Sequence, residues 1–395
     1  MKILLIGNGF DLEHNLPTSY RHFLIFCDKV RRIYICDNSI SLGRFKSENL
    51  DNWDTDDYIK GILHDAYAKR QVDANYNAEG SVEIKVDTKY KEINELYANI
   101  NNNFWYYYFI ERLNVLGENW IDFEMEISRV IKALDSARFQ VTCGGSLQSI
   151  DEEEQRLLMI LVHISKKSLQ EIYSTVEAID TFSQYLKEEL DRLVRALEIY
   201  IAKFISGIPI KEKSADISNL YPDCILSFNY SNTYERVYGS GRNIEYDYIH
   251  GKADINKNIK SCDLVLGIDE YLDDDEKDKQ LEFLTFKKYY QRIYKSTGNK
   301  YLDWLDEINS NPIDVNTLYV FGHSLDVTDK DILKMFICND NVQTKIFYYR
   351  KNEDDKVVLG KLIKNLIKII GQDELIRRTG GTHKTIEFIP QAIKK

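Results

Sequence analysis

The feature that most constrains this chain is a separation between its strand-like segments. Residues 2–6, KILLI, read as a short buried strand, apolar and β-branched, stopped by Gly7-Asn8-Gly9. The remaining strand-like runs all come after residue 220: CILSFNY (224–230), IEYDYIH (244–250), DLVLGI (263–268), TLYVFGHSL (317–325), TKIFYYR (344–350) and TIEFIP (385–390). Helical patterns lie between several of them, notably at 276–308 and 329–338. Strands alternating with helices imply a largely parallel sheet. The expected fold is therefore α/β and Rossmann-like, a mostly parallel sheet split in sequence, with a large helical insertion after its first βα unit.

The intervening stretch supports an insertion. TSYRHFLIFCDKVRRI reads as a helix that Thr18 or Ser19 can cap, with Tyr20, Phe23, Leu24 and Cys27 at helical spacing. Residues 36–103 are polar and interrupted, and DNWDTDDY and NINNN read as loops. WYYYFIERLNVL and NWIDFEMEISRVIKAL resume a helical pattern, and TCGGS reads as a turn. Residues 151–206 are the clearest helical stretch, with Phe182, Leu186, Leu190, Leu193, Leu197, Ile201 and Phe204 on one stripe. None of the five prolines lies between 18 and 208. The expected division is 1–35 for the first βα unit, 36–215 for the mainly helical insertion, and 216–395 for the rest of the sheet domain, with a small helical segment near 276–308.

Composition removes several classes. A net charge of -11 sets a repulsive average field against nucleic acid, and no long basic run offsets it. Cys27, Cys36, Cys143, Cys224, Cys262 and Cys338 contain no C-x-x-C pair, so a four-cysteine zinc module is excluded, and reduced thiols in a cytoplasm are expected. The first apolar run is too short for a signal peptide, and LLMILVHI (157–164) is too short to span a bilayer.

Four places could carry chemistry, and in a doubly wound sheet all four lie where ligands bind, beyond the strands' carboxyl ends. Gly7-x-Gly9 has two glycines of the dinucleotide fingerprint but lacks the third and the distant acidic residue, so it reads either as a phosphate loop or as a tight turn. Asn229-Tyr230 ends a strand, where the asparagine can orient water or a ribose hydroxyl, or where Asn229 or Ser231 merely caps the next helix. His250 ends a strand before Gly251 and is either a general base or a structural histidine. Gly322-His323-Ser324 ends another strand, with Asp326 to Asp329 placed to cap a helix. Asp326 stands where a nucleophile elbow needs glycine, so a turn offering N–H and hydroxyl groups is the better reading. Four such turns on one sheet edge point to one site.

In this order, ILLIGNGFDLEHNLPTSY, WIDFEMEI, LSFNYSNTYE, IHG, LVLGI and VFGHSLDVTD resemble the AbiH family of bacteriophage abortive-infection proteins. Asn15 stands where that family usually has glycine, and asparagine tolerates the left-handed conformation. The family in turn resembles the SIR2-like domains of anti-phage systems. That resemblance implies an NAD-handling fold whose effectors hydrolyse NAD⁺. It implies that Gly7, Asn8, Gly9, Phe10 and Asp11 contact the dinucleotide, and that Thr18, Ser19 and Tyr20 shape the nicotinamide side. It also implies that Asn229 positions water or ribose, that Tyr230 contacts the cofactor, and that His250 is the base. Gly322, His323, Ser324 and Asp326 would then hold the adenosine half. Deacylating sirtuins carry a four-cysteine zinc module that this chain lacks, so water is the expected acceptor and no metal is expected.

The function so expected is that of an NAD⁺ glycohydrolase that depletes NAD in infected cells. Two rivals stand beside it: a catalytically silent NAD-binding sensor of the same fold, and a nuclease-type toxin. The nuclease needs clustered carboxylates, and its one candidate, DEYLDDDEKD (269–278), reads as a solvated loop. Expected partners are the dinucleotide, a phage-derived trigger or partner protein, and further copies of the chain. A membrane and nucleic acid are not expected partners.

Overall fold

The structure, a computed structural model, describes residues 1–34, 50–53, 55–78, 90–116, 121–142, 150–268, 281–311, 315–382 and 384–393. After strand β1 (Lys2–Ile6) come helices α1 (Asn8–Glu13), α2 (Tyr20–Tyr34), α3 (Asp57–Ala78), α4 (Lys91–Ile100), α5 (Phe104–Leu116), α6 (Phe123–Thr142), α7 (Glu152–Ser165), α8 (Leu169–Ile172) and α9 (Val176–Ile199). A π-helical turn, Tyr200–Ile205, extends α9. The chain then runs through β2 (Cys224–Ser227), α10 (Thr233–Tyr238), β3 (Glu245–Tyr248), α11 (Lys288–Lys295), α12 (Tyr301–Ser310) and β4 (Asn316–Phe321). It ends with α13 (Lys330–Ile337), β5 (Val342–Tyr348), α14 (Val357–Ile370), α15 (Gln372–Thr379) and β6 (Ile386–Pro390). Two compact units result: a sheet unit of Met1–Thr18, Pro209–Ala253 and Arg292–Lys395, and a helical unit of Ser19–Ile208 and Asp254–Gln291.

In the sheet unit six strands run in the order β3-β2-β1-β4-β5-β6, every pair parallel. The split, parallel α/β sheet expected from the sequence is the one observed. Successive residues of β1 serve opposite faces, as the strand period of two demands. Ile3 and Leu5 join Leu226, Leu318, Val320 and Phe336 on one face, and Leu4 and Ile6 join Ile225, Phe10 and Phe321 on the other. Burial on both faces is why these strands read as continuous apolar runs rather than alternating ones. The order reverses at β1, which places the crevice of a doubly wound sheet between the loops after β1 and β4.

In the helical unit the stripe from Phe182 to Phe204 is buried throughout, each of the seven side chains at most 4% exposed. Phe123 lies between the rings of Tyr20 and Phe109, at 4.1 and 4.0 Å and nearly parallel to both. Glu126, fully buried, accepts hydrogen bonds from Arg112 Nε at 2.7 Å and Tyr108 Oη at 2.9 Å. Glu126 of the FEME stretch is therefore a structural anchor, its charge matched inside the core.

Helices α3 and α4 lie within the polar stretch 36–103, and Asn102, at φ 55°, turns the chain after α4. One expectation fails. DLVLGI joins no sheet, since among its residues only Ile268 forms a bridge, to Lys287. At Leu266 a side chain satisfies the buried backbone instead. Gln291 accepts from Leu266 N–H at 3.2 Å and donates to Leu266 O at 3.0 Å. Cys36, Trp120, most of TCGGS (Cys143 included) and DEYLDDDEKD fall outside the described residues. No helix among those described is long and apolar enough to cross a membrane.

Candidate functional site

The parallel register sets Ile6 beside Ser227 and Phe321, and Ser227 beside Tyr248. The segments that follow these four residues therefore emerge on one sheet edge. The segments after Ile6 and Phe321 are locked together backbone to backbone. Gly9 N–H donates to Gly322 O at 2.7 Å. A Cβ on Gly9 would lie 2.8 Å from Gly322 Cα, and one on Gly322, whose φ is +69°, would lie 2.2 Å from Phe10 N. These glycines are required by loop-to-loop contact, and the Gly9 N–H is already committed.

The rest of the opening motif divides between loop, core and buried charge. Thr18 Oγ1 donates to Asn8 Oδ1 at 2.6 Å and closes the loop on itself. Asn15 sits at φ 58°, the left-handed turn that the asparagine was expected to tolerate. Phe10 is wholly buried against His14, Tyr234 and Phe321, so it is a core residue and not a ligand contact. Ser19 and Tyr20 belong to the helical unit. The Ser19 hydroxyl accepts from His22 N–H as a cap for α2, and Tyr20 stacks on Phe123.

Asp11 is 1% exposed, and its Oδ2 accepts from Ser231 Oγ at 2.7 Å while its Oδ1 has no partner. Ser231 thus bonds Asp11 rather than capping α10, whose N-cap Asn232 makes no side-chain bond. Burial pushes the Asp11 carboxyl up to about 6, against the pull of Ser231, Thr233 and Arg236. With an unfolded value near 4, the folded state holds a proton that the unfolded state has released, so stability falls as pH rises from about 4 to about 6. The full loss, about 3 kcal/mol, is reached above pH 6. Urea unfolding at about pH 3.5 and about pH 7.5, the two sides of that window, is expected to show this fall in the wild type and its disappearance in Asp11→Asn.

Asn229, 5% exposed, donates from Nδ2 to Gly7 O at 2.9 Å and so ties the β2 loop to the β1 loop. It does not cap α10 either. Tyr230 accepts from Ala253 N–H through its carbonyl, and its ring lies 6.4 Å from that of His250.

The chemistry concentrates one loop further on. Asp329 stands between two buried imidazoles, its Oδ1 3.2 Å from His250 Nε2 and its Oδ2 3.3 Å from His323 Nε2. His323 Nδ1 accepts the Leu325 N–H at 2.9 Å, so the proton of a neutral His323 sits on Nε2 and points at Asp329. The Phe228 ring presses on both imidazoles, 5.6 Å from His250 and 4.5 Å from His323, close to edge-on in each case. With the carboxylate holding the His250 Nε2–H, that ring's lone pair is on Nδ1. Among the described residues no group of three or more His, Cys, Asp or Glu is arranged to hold a metal ion.

Asp329 and Phe228 were not singled out from the sequence. Asp329 appeared only as a helix cap, yet it occupies the N-cap position of α13 without capping it, and its side chain serves the histidines instead. Asp326 does cap, accepting from Thr328 N–H at 3.2 Å, which gives it a structural role. Ser324 is exposed, and its carbonyl accepts from Asn365 Nδ2 at 3.0 Å.

Comparison with known proteins agrees with this arrangement of motifs. No curated protein and no solved structure matches the chain. The family profile described as bacteriophage abortive infection AbiH matches residues 3–350, which takes in β1, the FEME stretch, the β2 and β3 ends and the His323–Asp329 segment. The chain belongs to the AbiH family of bacteriophage abortive-infection proteins.

Proposed function

We propose that this abortive-infection protein binds NAD⁺ at the carboxyl edge of its parallel sheet and hydrolyses the bond between nicotinamide and ribose. The observation that carries the reading is the pairing of buried His250 with Asp329 at the end of β3, on the same sheet edge as Asn229. That edge is where doubly wound sheets take their ligands.

The chemistry asks little of an acid. As the C1′–N bond breaks, its electron pair leaves with nicotinamide, a neutral base, and positive charge builds on the ribose. A water oxygen bonds to C1′, and the proton it gives up goes to the Nδ1 lone pair of His250. Asp329, bonded to the opposite nitrogen, fixes that tautomer and steadies the imidazolium that forms. His323 is unsuited to the same task, because its Nδ1 is occupied by the Leu325 N–H and its Nε2 faces the carboxylate. Asn229 spends its amide nitrogen on Gly7 O, which leaves its side-chain carbonyl to orient the water or a ribose hydroxyl.

The test is made in cells carrying the protein and challenged with phage. Cellular NAD⁺ is expected to fall with the wild type and to hold with His250→Ala or Asn229→Ala at equal protein levels. Equal NAD⁺ in all three would contradict hydrolysis and favour the sensor.

A further inference from the structure

The helical unit carries an open cleft of about 440 Å³ between α2, α5 and the turn at Asn52-Trp53. That volume lies within the range of small-molecule sites. Arg21, Ile25, Asp28, Lys29 and Arg32 reach it from one face of α2, at spacings of three, four and seven residues that bring them into line. Three of those five are cations. The one carboxylate is already engaged, Asp28 accepting from Arg32 Nε at 2.6 Å. In a chain of net charge -11, a pocket with a surplus of cations is a local reversal of sign.

The remaining walls are not those of a bare anion hole. Ile110 and Leu113 of α5 line the cleft with Leu24 and Ile25. Trp53 lines it too, and its indole N–H is held by Leu50 O at 3.0 Å, so its ring contributes surface rather than a donor. A half-buried aromatic ring beside clustered Arg and Lys suits a planar ring joined to a phosphate. Burial pushes the Lys29 ammonium down and Arg32 adds to that push, while Asp28 and Asp51 oppose it.

We infer that this cleft is a ligand site for a small phosphorylated heterocycle, a nucleoside monophosphate in size and chemistry, built wholly from the helical unit. The inference is independent of NAD⁺ hydrolysis, since none of its residues belongs to the sheet edge.

The experiment is calorimetric titration of the full chain with AMP, GMP, CMP and UMP, and with inorganic phosphate. At least one nucleotide is expected to bind tenfold or more tightly than phosphate, about the value of one stacked ring. Lys29→Gln and Arg32→Gln should each weaken that nucleotide roughly tenfold, the size of one charge-assisted bond, and Trp53→Leu should bring it to the level of phosphate. Arg32 is exposed, so its variant reads the pocket without threatening the core. The inference is overturned if no nucleotide outbinds phosphate, or if both charge variants bind as the wild type does.

Discussion

Asp329→Asn is expected to lower the rate of nicotinamide release by about 10²-fold or more while NAD⁺ still binds. Asparagine matches the carboxylate in shape but offers one acceptor and one donor in place of two acceptors. Two imidazole Nε2 atoms, 3.2 and 3.3 Å away, ask for hydrogen-bond acceptance on both sides. His323 cannot adapt, because Leu325 N–H fixes its tautomer. His250 must then turn its Nε2 lone pair toward the new amide and carry its proton on Nδ1, which removes the base from the side where water is to be activated. The separation of a lost rate from a retained affinity, read by product release and by calorimetry, distinguishes this from collapse of the site. A variant with wild-type rate would show that Asp329 holds the loop and nothing more.

Gly322→Ala is expected to destabilise the fold by about 3 kcal/mol or more. The left-handed backbone alone costs an alanine about 1–2 kcal/mol, and the added Cβ would stand 2.2 Å from Phe10 N, a backbone atom that yields only if the β1 loop moves. Gly360→Ala is the matched control. It lies in α14 with nothing within 4 Å of its Cβ, so it should be neutral or stabilising by up to about 1 kcal/mol. Urea unfolding midpoints for the two variants test the contrast. Equal midpoints would mean that the β1 and β4 loops do not meet as described.

Much of the fold could be read because parallel strands are buried on both faces and announce themselves as short apolar runs. The runs were read too long, however. CILSFNY leaves the ladder after Ser227 and IEYDYIH after Tyr248, which moves Asn229 and His250 off the strands and into the loops where ligands bind. DLVLGI has the same composition as a strand, but at Leu266 Gln291 supplies the bonds that a neighbouring strand would have given, and no local pattern distinguishes the two. The α3 helix did carry a signal in Ile59, Leu63, Ala66 and Tyr67, all buried at helical spacing. It was masked by the polar residues around them.

The site was legible only in part, for a different reason. Asn229 and His250 stand out because their residue types are unusual at strand ends. Gly7 and Gly9 stand out because glycine does, although a Cβ on either would meet the Gly322-His323 backbone. Asp329 could not be found this way. It lies 79 residues from His250, and next to α13 an aspartate looks like a cap. Only the folded register of β3 against β4, with β2 and β1 between them, brings the pair together.

The most direct measurement is nicotinamide release from NAD⁺ by the purified full-length protein near neutral pH, beside His250→Ala and with NAD⁺ binding confirmed for both. Release by the wild type and its near-complete loss in His250→Ala is the result predicted. Binding without release by the wild type, or undiminished release by His250→Ala, would contradict the assignment of His250 and Asp329 as the hydrolytic pair.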